Sequence, residues 1–460
     1  MGWVGPLLFL VLVAQAFVRL GLLAWAVGIV YVLYDTALLG FTAWQILPLR
    51  RAAQQLSAAR AATRGTLPSV GVVIAAHNEA AVLGVTIDSL AAQVPPPELI
   101  LLADDASDDE SAKVLEQLYG LRVAPPGQLG EPSPRLPSLR WLRLPRGGKA
   151  RALNAALPLV HTDLVLTVDA DTLLVPGALA AMREAFAAEP QLVAATGVLE
   201  PFCPPGAVGS VFAWFQRYEY VRNFLARYAW MRQQGLLLVS GAFAAFRRGP
   251  LLEVGGFDPQ CLVEDYELIH RLHRHGLERG LGWTVQVIGR ARARTDAPAT
   301  PLAFLRQRRR WFGGFLQTQR WNRDMVLNPR YGKLGMRMLT VKALDTVQPV
   351  YGVSAFAILV WLAASGRLAV AGPILLVMLA KVVLDLSFHL WSIRLYARWV
   401  GHDKGLGWGQ ALLASLLEPF SFQLLRHLGA CWGWLAFLSG SGSWGHARRR
   451  AAAASSDAGG

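Results

Sequence analysis

The chain has 460 residues, room for about two to three ordinary domains, and 53% of them are hydrophobic, which is high for a wholly water-soluble protein. A formal net charge of +14 suits nucleic acid, acidic lipid headgroups or a polyphosphate ligand, and equally an Arg-rich composition with membrane-topology bias. Cys203, Cys261 and Cys431 are far apart with no Cys-x-x-Cys or Cys/His spacing, so neither a zinc site nor a disulfide framework is indicated.

Residues 4–48 are almost uninterrupted apolar sequence with only Arg19 and Asp35 as charges. One span takes about 20 residues, so one or two fit. Ala14-Gln15-Ala16 imitates a secretory cleavage site, but no basic segment precedes it and the apolar run continues, so the segment reads as a retained anchor. Arg50, Arg51, Arg60 and Arg64 follow it and, by the positive-inside bias, place the next domain in the cytoplasm. Residues 1–66 are therefore expected to form an anchor and a basic linker.

Residues 67–300 alternate short strand-like runs with longer helical ones. The apolar run 70–75 ends at polar His77-Asn78-Glu79, and a helix with Val82, Leu83, Ile87 and Leu90 on one stripe follows until Pro95-Pro96-Pro97. Residues 99–103 make a second strand before Asp104-Asp105, with a helix entry at Ala106-Ser107-Asp108, where Asp108 is expected near the N-cap, and a helix over 113–118. Residues 124–137, rich in Pro and Gly, read as an exposed excursion. A buried strand over 164–168 then leads into Asp169-Ala170-Asp171. This alternation predicts an α/β domain with a mainly parallel sheet, whose ligands lie beyond the carboxyl ends of the strands.

Several groups carry chemistry. Asp104-Asp105 offers carboxylates to a pyrimidine N–H or ribose hydroxyls. Asp169 and Asp171 are expected on one side of an extended segment, as hard oxygen ligands for Mg²⁺ or Mn²⁺ shared with phosphate oxygens. Gly147-Gly148-Lys149 precedes a helix and brings backbone N–H groups and a cation towards an anion. The aromatic segment 208–231 reads as core. Glu264-Asp265 opens a helix whose inward stripe is Leu268, Ile269 and Leu272, where the dipole favours a carboxylate able to take a proton. Gln307, Arg310 and Trp311 share a helical face with Phe304, Gly314 and Phe315, combining an amide, a guanidinium and an indole on a helix that also suits a lipid interface.

Residues 301–335 are thus expected to be interfacial, and 336–445 a membrane region with spans over 346–364 and 370–391, followed by Arg394, Arg398 and Lys404. The block 406–437 contains Glu418, Arg426 and His427 and reads as a span followed by an interfacial helix. Lys381, Asp385 and His389 either face a protein-lined path or snorkel at a cytoplasmic end. The tail 446–460 reads as disordered.

In order, these motifs resemble the family 2 inverting glycosyltransferases, especially the membrane-embedded processive synthases of cellulose, hyaluronan and poly-N-acetylglucosamine. The resemblance runs from about Val70 to Arg320 and is most specific at the Gln-x-x-Arg-Trp signature, Gln307 to Trp311. It implies a cytoplasmic nucleotide-diphospho-sugar-binding α/β domain of the GT-A type, flanked by transmembrane helices at both ends. It further implies Asp104 or Asp105 on uridine, Asp169 and Asp171 on the diphosphate and metal, and Asp265 as base with Glu264 beside it. Gln307, Arg310 and Trp311 would frame the diphosphate and acceptor sugar, His77, Glu79 and Lys149 would support the donor, and Gly241 would lie in the segment under the acceptor. Val263 stands where these synthases usually carry the Thr of Thr-Glu-Asp.

The expected function is inverting transfer from a UDP-sugar, with Mg²⁺ or Mn²⁺, to a growing glycan at the inner face of the cytoplasmic membrane, by a multi-pass protein that contacts lipid and no nucleic acid. The alternatives are single addition to a lipid or polyprenyl phosphate, and a non-catalytic basic membrane-binding protein.

Overall fold

The computed structural model describes residues 4–19, 21–51, 66–204, 206–401 and 408–440. Arg60, Arg64, Lys404 and the tail 446–460 lie outside the described residues.

The apolar N-terminus forms α1 (Val4–Val18) and α2 (Ala26–Ile46). The α/β domain follows with β1 (Val70–Ala76), α3 (Ala80–Ala91), β2 (Leu99–Asp105), α4 (Ser111–Tyr119), β3 (Leu139–Leu144), α5 (Lys149–Ala156), β4 (Leu164–Asp169), β5 (Thr172–Leu174), α6 (Ala178–Ala188) and β6 (Leu192–Phe202). It continues through α7 (Ala207–Met231), β7 (Phe243–Arg247), α8 (Arg248–Glu253), α9 (Glu264–Glu278) and β8 (Thr284–Asp296). Five further helices follow among the described residues: α10 (Pro301–Trp321), α11 (Leu339–Ala364), α12 (Leu368–Val400), α13 (Trp408–Leu417) and α14 (Phe422–Leu438).

The sheet has eight strands in the order β3-β2-β1-β4-β7-β6-β8-β5. Strands β1 to β4 pair in parallel, with Ala76 opposite Asp104 and Ala75 opposite Asp169, so both acidic motifs end at the same edge. Strand β7 runs antiparallel between β4 and β6, making the sheet mixed. Val70, Val72, Val73 and Ile74 of β1 and Leu164, Val165 and Leu166 of β4 are fully buried, because helices cover both faces. Burying each such side chain contributes about 1.5–3 kcal/mol. On α3, Leu83, Ile87 and Leu90 fill the core while Val82 is only half-buried.

Among the described residues, three helical segments are long and apolar enough to cross a membrane: Gly21–Arg51, Leu334–Ala364 and Ala371–Val400. The expected span within 406–437 is instead the two short helices α13 and α14, of 10 and 17 residues. Helix α14 lies along α10: a Cβ on Gly433 would meet the Arg309 carbonyl at 2.5 Å, and one on Gly429 would meet Arg308 Cβ at 2.8 Å. Glycines permit that approach, and the close backbone contact keeps α14 beside the Gln-x-x-Arg-Trp helix.

Lys381 does not snorkel. It pairs with Asp35 of α2 at 2.7 Å and also with Asp385, which ties the first span to the third. His389 is buried and packs on Tyr218, ring centroids 4.1 Å apart.

Candidate active site

Lys149 joins the two halves of the site. It opens α5 beyond the carboxyl end of β3, and its Nζ bonds Asp169 Oδ1 at the end of β4 while lying 3.5 Å from Glu264 Oε1 at the start of α9. Burial opposes its charge, yet Asp169, Glu264 and Asp265 together hold the ammonium above the usual lysine range. Glu264 is raised above the ordinary carboxylate range by burial, an effect Lys149 opposes and Asp265 reinforces. Exposed Arg310 acts on Glu264 from α10, so the Gln-x-x-Arg-Trp helix and the acidic start of α9 share one electrostatic neighbourhood.

Asp265 is held by the backbone. Its Oδ2 accepts from the Gly241 N–H at 2.7 Å and its Oδ1 from the Tyr266 N–H at 2.8 Å. Each oxygen keeps further acceptor capacity. Val263, 5% exposed, packs against α10, where a Cβ on Gly314 would come within 2.5 Å of Val263 Cγ2. The residue before the acidic pair therefore fits α9 onto α10 by shape. Gln317 continues that seam by accepting from the Leu262 N–H at 3.0 Å and donating to the Gln260 carbonyl at 3.0 Å.

Asp171 lies in a turn between β4 and β5 and not in an extended segment as expected, so it is placed by the short β5 strand. The hydroxyls of Thr172 and Thr295 approach its Oδ1 at 3.3 and 3.4 Å. Burial, with Asp169 and then Asp296 nearby, pushes the Asp171 carboxyl up to about 6. Such crowding of carboxylates is relieved by a cation, and the donors are the hard oxygens that Mg²⁺ and Mn²⁺ prefer. No ready cluster of three or more ligands exists among the described residues.

Asp104 and Asp105 are both buried and already serve the fold. Asp104 accepts from the Ser107 N–H at 2.8 Å and the Trp141 indole N–H at 3.3 Å. Asp105 accepts from the Gly147 N–H at 2.6 Å and the Gly148 N–H at 2.9 Å, with Arg146 at 3.4 Å. The glycine amides expected to face a ligand anion thus bind the protein's own carboxylate, an internal anion, while Lys149 beside them turns to Asp169 and Glu264. His77 Nδ1 lies 3.0 Å from the Asp105 carbonyl, and Glu79 stands at the N-cap of α3. Asp108 is not the cap of α4, a position taken by Glu110; it exchanges hydrogen bonds with Asn78, whose positive φ of 58° turns its side chain towards it.

On α10, Gln307 Oε1 is buried without a hydrogen-bond partner, and Trp311 is half-buried. Arg308, fully enclosed, stacks between Phe304 and Trp311 with Cζ 4.5 and 4.4 Å from the ring centroids. One face of the Trp311 indole is therefore taken by a guanidinium, and the half-buried ring also packs against the core. Glu219 of α7 answers Arg308 at 2.6 Å, with Arg426 of α14 at 3.6 Å. The motif shows Arg308 only as one of three consecutive arginines. Its i,i+4 relation to Phe304 is the available signal, whereas Glu219 and Asp296 have none short of the fold.

A separate cavity of about 510 Å³ opens between α7 and α13, lined by Cys203, Trp214, Arg217 and Leu413 among others. Cys203 lies within electrostatic range of Asp296, which links this cavity to the Asp171 side of the site.

Known proteins place this arrangement. The model of the family described as Glycosyltransferase like family 2 matches residues 68–314, more than half of the chain. The chain is 26% identical over 353 residues to the Beta-monoglucosyldiacylglycerol synthase of Trichormus variabilis, covering 74% of this chain and 68% of the relative. It is 23% identical over 289 residues to the Poly-beta-1,6-N-acetyl-D-glucosamine synthase of Staphylococcus epidermidis, covering 61% and 62%. Its fold matches the mannosyltransferase PcManGT of Pyrobaculum calidifontis, solved with GDP-Man and Mn²⁺, at a TM-score of 0.51 and 20% identity, over 83% of this chain and 99% of that one. With the mixed sheet of GT-A type and the acidic motifs at its edge, the chain is a glycosyltransferase that belongs to the glycosyltransferase family 2.

Proposed function

We propose that the protein transfers a sugar, with inversion, from a UDP-sugar to a hydroxyl acceptor at the cytoplasmic face of the inner membrane, which its three long apolar helices cross. The observation that carries this is the Lys149 bridge, which sets the Asp169 and Asp171 region beside Glu264 and Asp265. Asp265 takes the proton of the acceptor O–H as that oxygen attacks the anomeric carbon. The new C–O bond forms as the bond to the diphosphate breaks, and the electron pair leaves with the nucleotide. Lys149 and Arg310 meet the diphosphate charge, Asp104 or Asp105 with His77 and Glu79 lies on the nucleoside side, and Gln307 and Trp311 frame the sugars above Gly241. Asp169 and Asp171 would hold Mg²⁺ or Mn²⁺, which when bound neutralises charge on the leaving diphosphate.

A growing glycan as acceptor fits the similarity to the poly-N-acetylglucosamine synthase. Single addition to a lipid is favoured by the longer match to the glucosyldiacylglycerol synthase, whose 353 residues exceed the catalytic domain. Purified protein in nanodiscs, given a panel of nucleotide sugars with Mg²⁺ or Mn²⁺, should release UDP from one of them, and product mass separates a chain from a single addition. No nucleotide release from any donor would remove the proposal.

A further inference from the structure

Helix α7 carries a cation, Arg227, that forms no ion pair among the described residues. The Arg227 guanidinium lies over the Phe224 ring, Cζ 4.4 Å from its centroid, and its Nε and Nη1 are enclosed with no hydrogen-bond partner. Two other arginines in this region are matched, Arg308 by Glu219 at 2.6 Å and Arg222 by Glu418 at 2.9 Å. Burial lowers the Arg227 pKa to about 10, with Tyr220 and then Asp265 acting in the other direction, so the guanidinium lies within electrostatic reach of the proposed base. Tyr220 and Asn223 stand on the same helical face, two turns and one turn before Arg227 respectively. An enclosed guanidinium without a partner is costly unless an anion completes it.

The anion can come from the donor or from the acceptor, and the reach of Arg227 to Asp265 puts it on the acceptor side, which the long apolar helices of the chain place beside lipid. The open cavity against α13, bordered by Trp214 and Arg217, lies about 15 Å or more along α7 from Arg227 and is a separate feature. The donor diphosphate has its own cations in Lys149 and Arg310. A phosphate oxygen acting as nucleophile is already ionised and would need no base, whereas a headgroup hydroxyl needs Asp265.

We propose that Arg227 binds the phosphate of a glycerophospholipid acceptor whose headgroup hydroxyl is the nucleophile deprotonated by Asp265. This rests on the transferase reading above and names its acceptor class. The phosphodiester is unchanged by the reaction. Its charge is paired by the guanidinium, with Tyr220 and Asn223 within the same helical face to hydrogen-bond the headgroup.

The test uses the full chain in phosphatidylcholine nanodiscs, with the donor identified by nucleotide release. Short-chain phosphatidylglycerol, the matching diacylglycerol and soluble glycerol phosphate are compared as acceptors or competitors for wild type, Arg227→Gln and Arg227→Lys, alongside UDP affinity. Wild type should show a KM for phosphatidylglycerol about tenfold or more below that for diacylglycerol. Arg227→Gln should raise the phosphatidylglycerol KM by about tenfold, with Arg227→Lys recovering part of it and UDP affinity within about twofold of wild type. Should Arg227→Gln fail to fold, the wild-type comparison of the two lipids decides alone. Equal or better use of diacylglycerol, a loss of UDP affinity in Arg227→Gln, or competition by glycerol phosphate as strong as by the lipid would overturn the inference. Absence of nucleotide release with every donor would sink the transferase reading and this inference with it, whereas release without preference for the phospholipid sinks the inference alone.

Discussion

The backbone N–H of Gly241 donates to Asp265 Oδ2 at 2.7 Å, and a Cβ at position 241 would stand only 3.0 Å from that oxygen and 3.2 Å from Asp265 Cβ. The segment leading into β7 thus aims the carboxylate by lying against it, so close that a Cβ there would push Asp265 back by a few tenths of an ångström. Gly241→Ala should displace Asp265 and lower kcat by about tenfold or more while UDP affinity stays within about twofold, since small misplacements of a reacting group are costly. Steady-state kinetics beside equilibrium UDP binding checks this, and an unchanged kcat would show that the contact does not orient the carboxylate.

Gly314 and Val263 make the corresponding contact between α10 and α9, with the added Cβ 2.5 Å from Val263 Cγ2. Gly314→Ala should destabilise by about 1–3 kcal/mol through overpacking, and the double variant with Val263→Ala should recover much of that. Thermal denaturation of the detergent-solubilised protein reads both, and strictly additive losses would show that the two residues do not meet.

The Arg308–Glu219 pair, both side chains 3% exposed, holds α10 to α7. Removing one partner leaves a buried charge, so Arg308→Met should cost about 3–5 kcal/mol, and the double variant with Glu219→Gln should cost less than the single one. Equal stability of Arg308→Met and wild type in thermal denaturation would show that the pair is solvated.

Asp171 gives a pH dependence. Burial, with Asp169 and Asp296 adding to it, raises its carboxyl to about 6, so the folded protein binds this proton more tightly than the unfolded chain, whose aspartates titrate at about 3.9. Its contribution to stability is therefore greatest below about pH 4, falls as pH rises, and is lost above about pH 6. A divalent cation reverses the sign, because it binds the ionised form. Mn²⁺ should raise the melting temperature at about pH 7.5, have little effect near pH 5, and have none in Asp171→Asn, which should itself melt higher than metal-free wild type at neutral pH. A Mn²⁺ shift retained in Asp171→Asn would place the ion elsewhere.

Much of the fold was legible because buried parallel strands are short apolar runs ending in polar residues, as at residues 70–75 and 164–168 before Asp169. The antiparallel insertion of β7 was not, since pairing of Phe243 with Val168 is a long-range choice that leaves no local pattern. The block 406–437 misled because continuous apolarity does not distinguish a span from two short helices, the second of which lies on α10. At the site, acidic motifs at strand ends and the α10 face could be read from spacing. The capture of the Gly147 and Gly148 amides by Asp105, and the placing of Asp171 in a turn, depend on how the loops meet and could not.

The central claim is that Asp265 accepts the acceptor proton in a site shared with the donor diphosphate. It is tested most directly by single-turnover transfer with Asp265→Asn, an isosteric change that leaves one oxygen to accept from either the Gly241 or the Tyr266 N–H, at saturating donor and Mn²⁺. Transfer should fall by about 10²-fold or more while UDP and Mn²⁺ affinities stay within about twofold of wild type. Transfer at the wild-type rate would contradict the account.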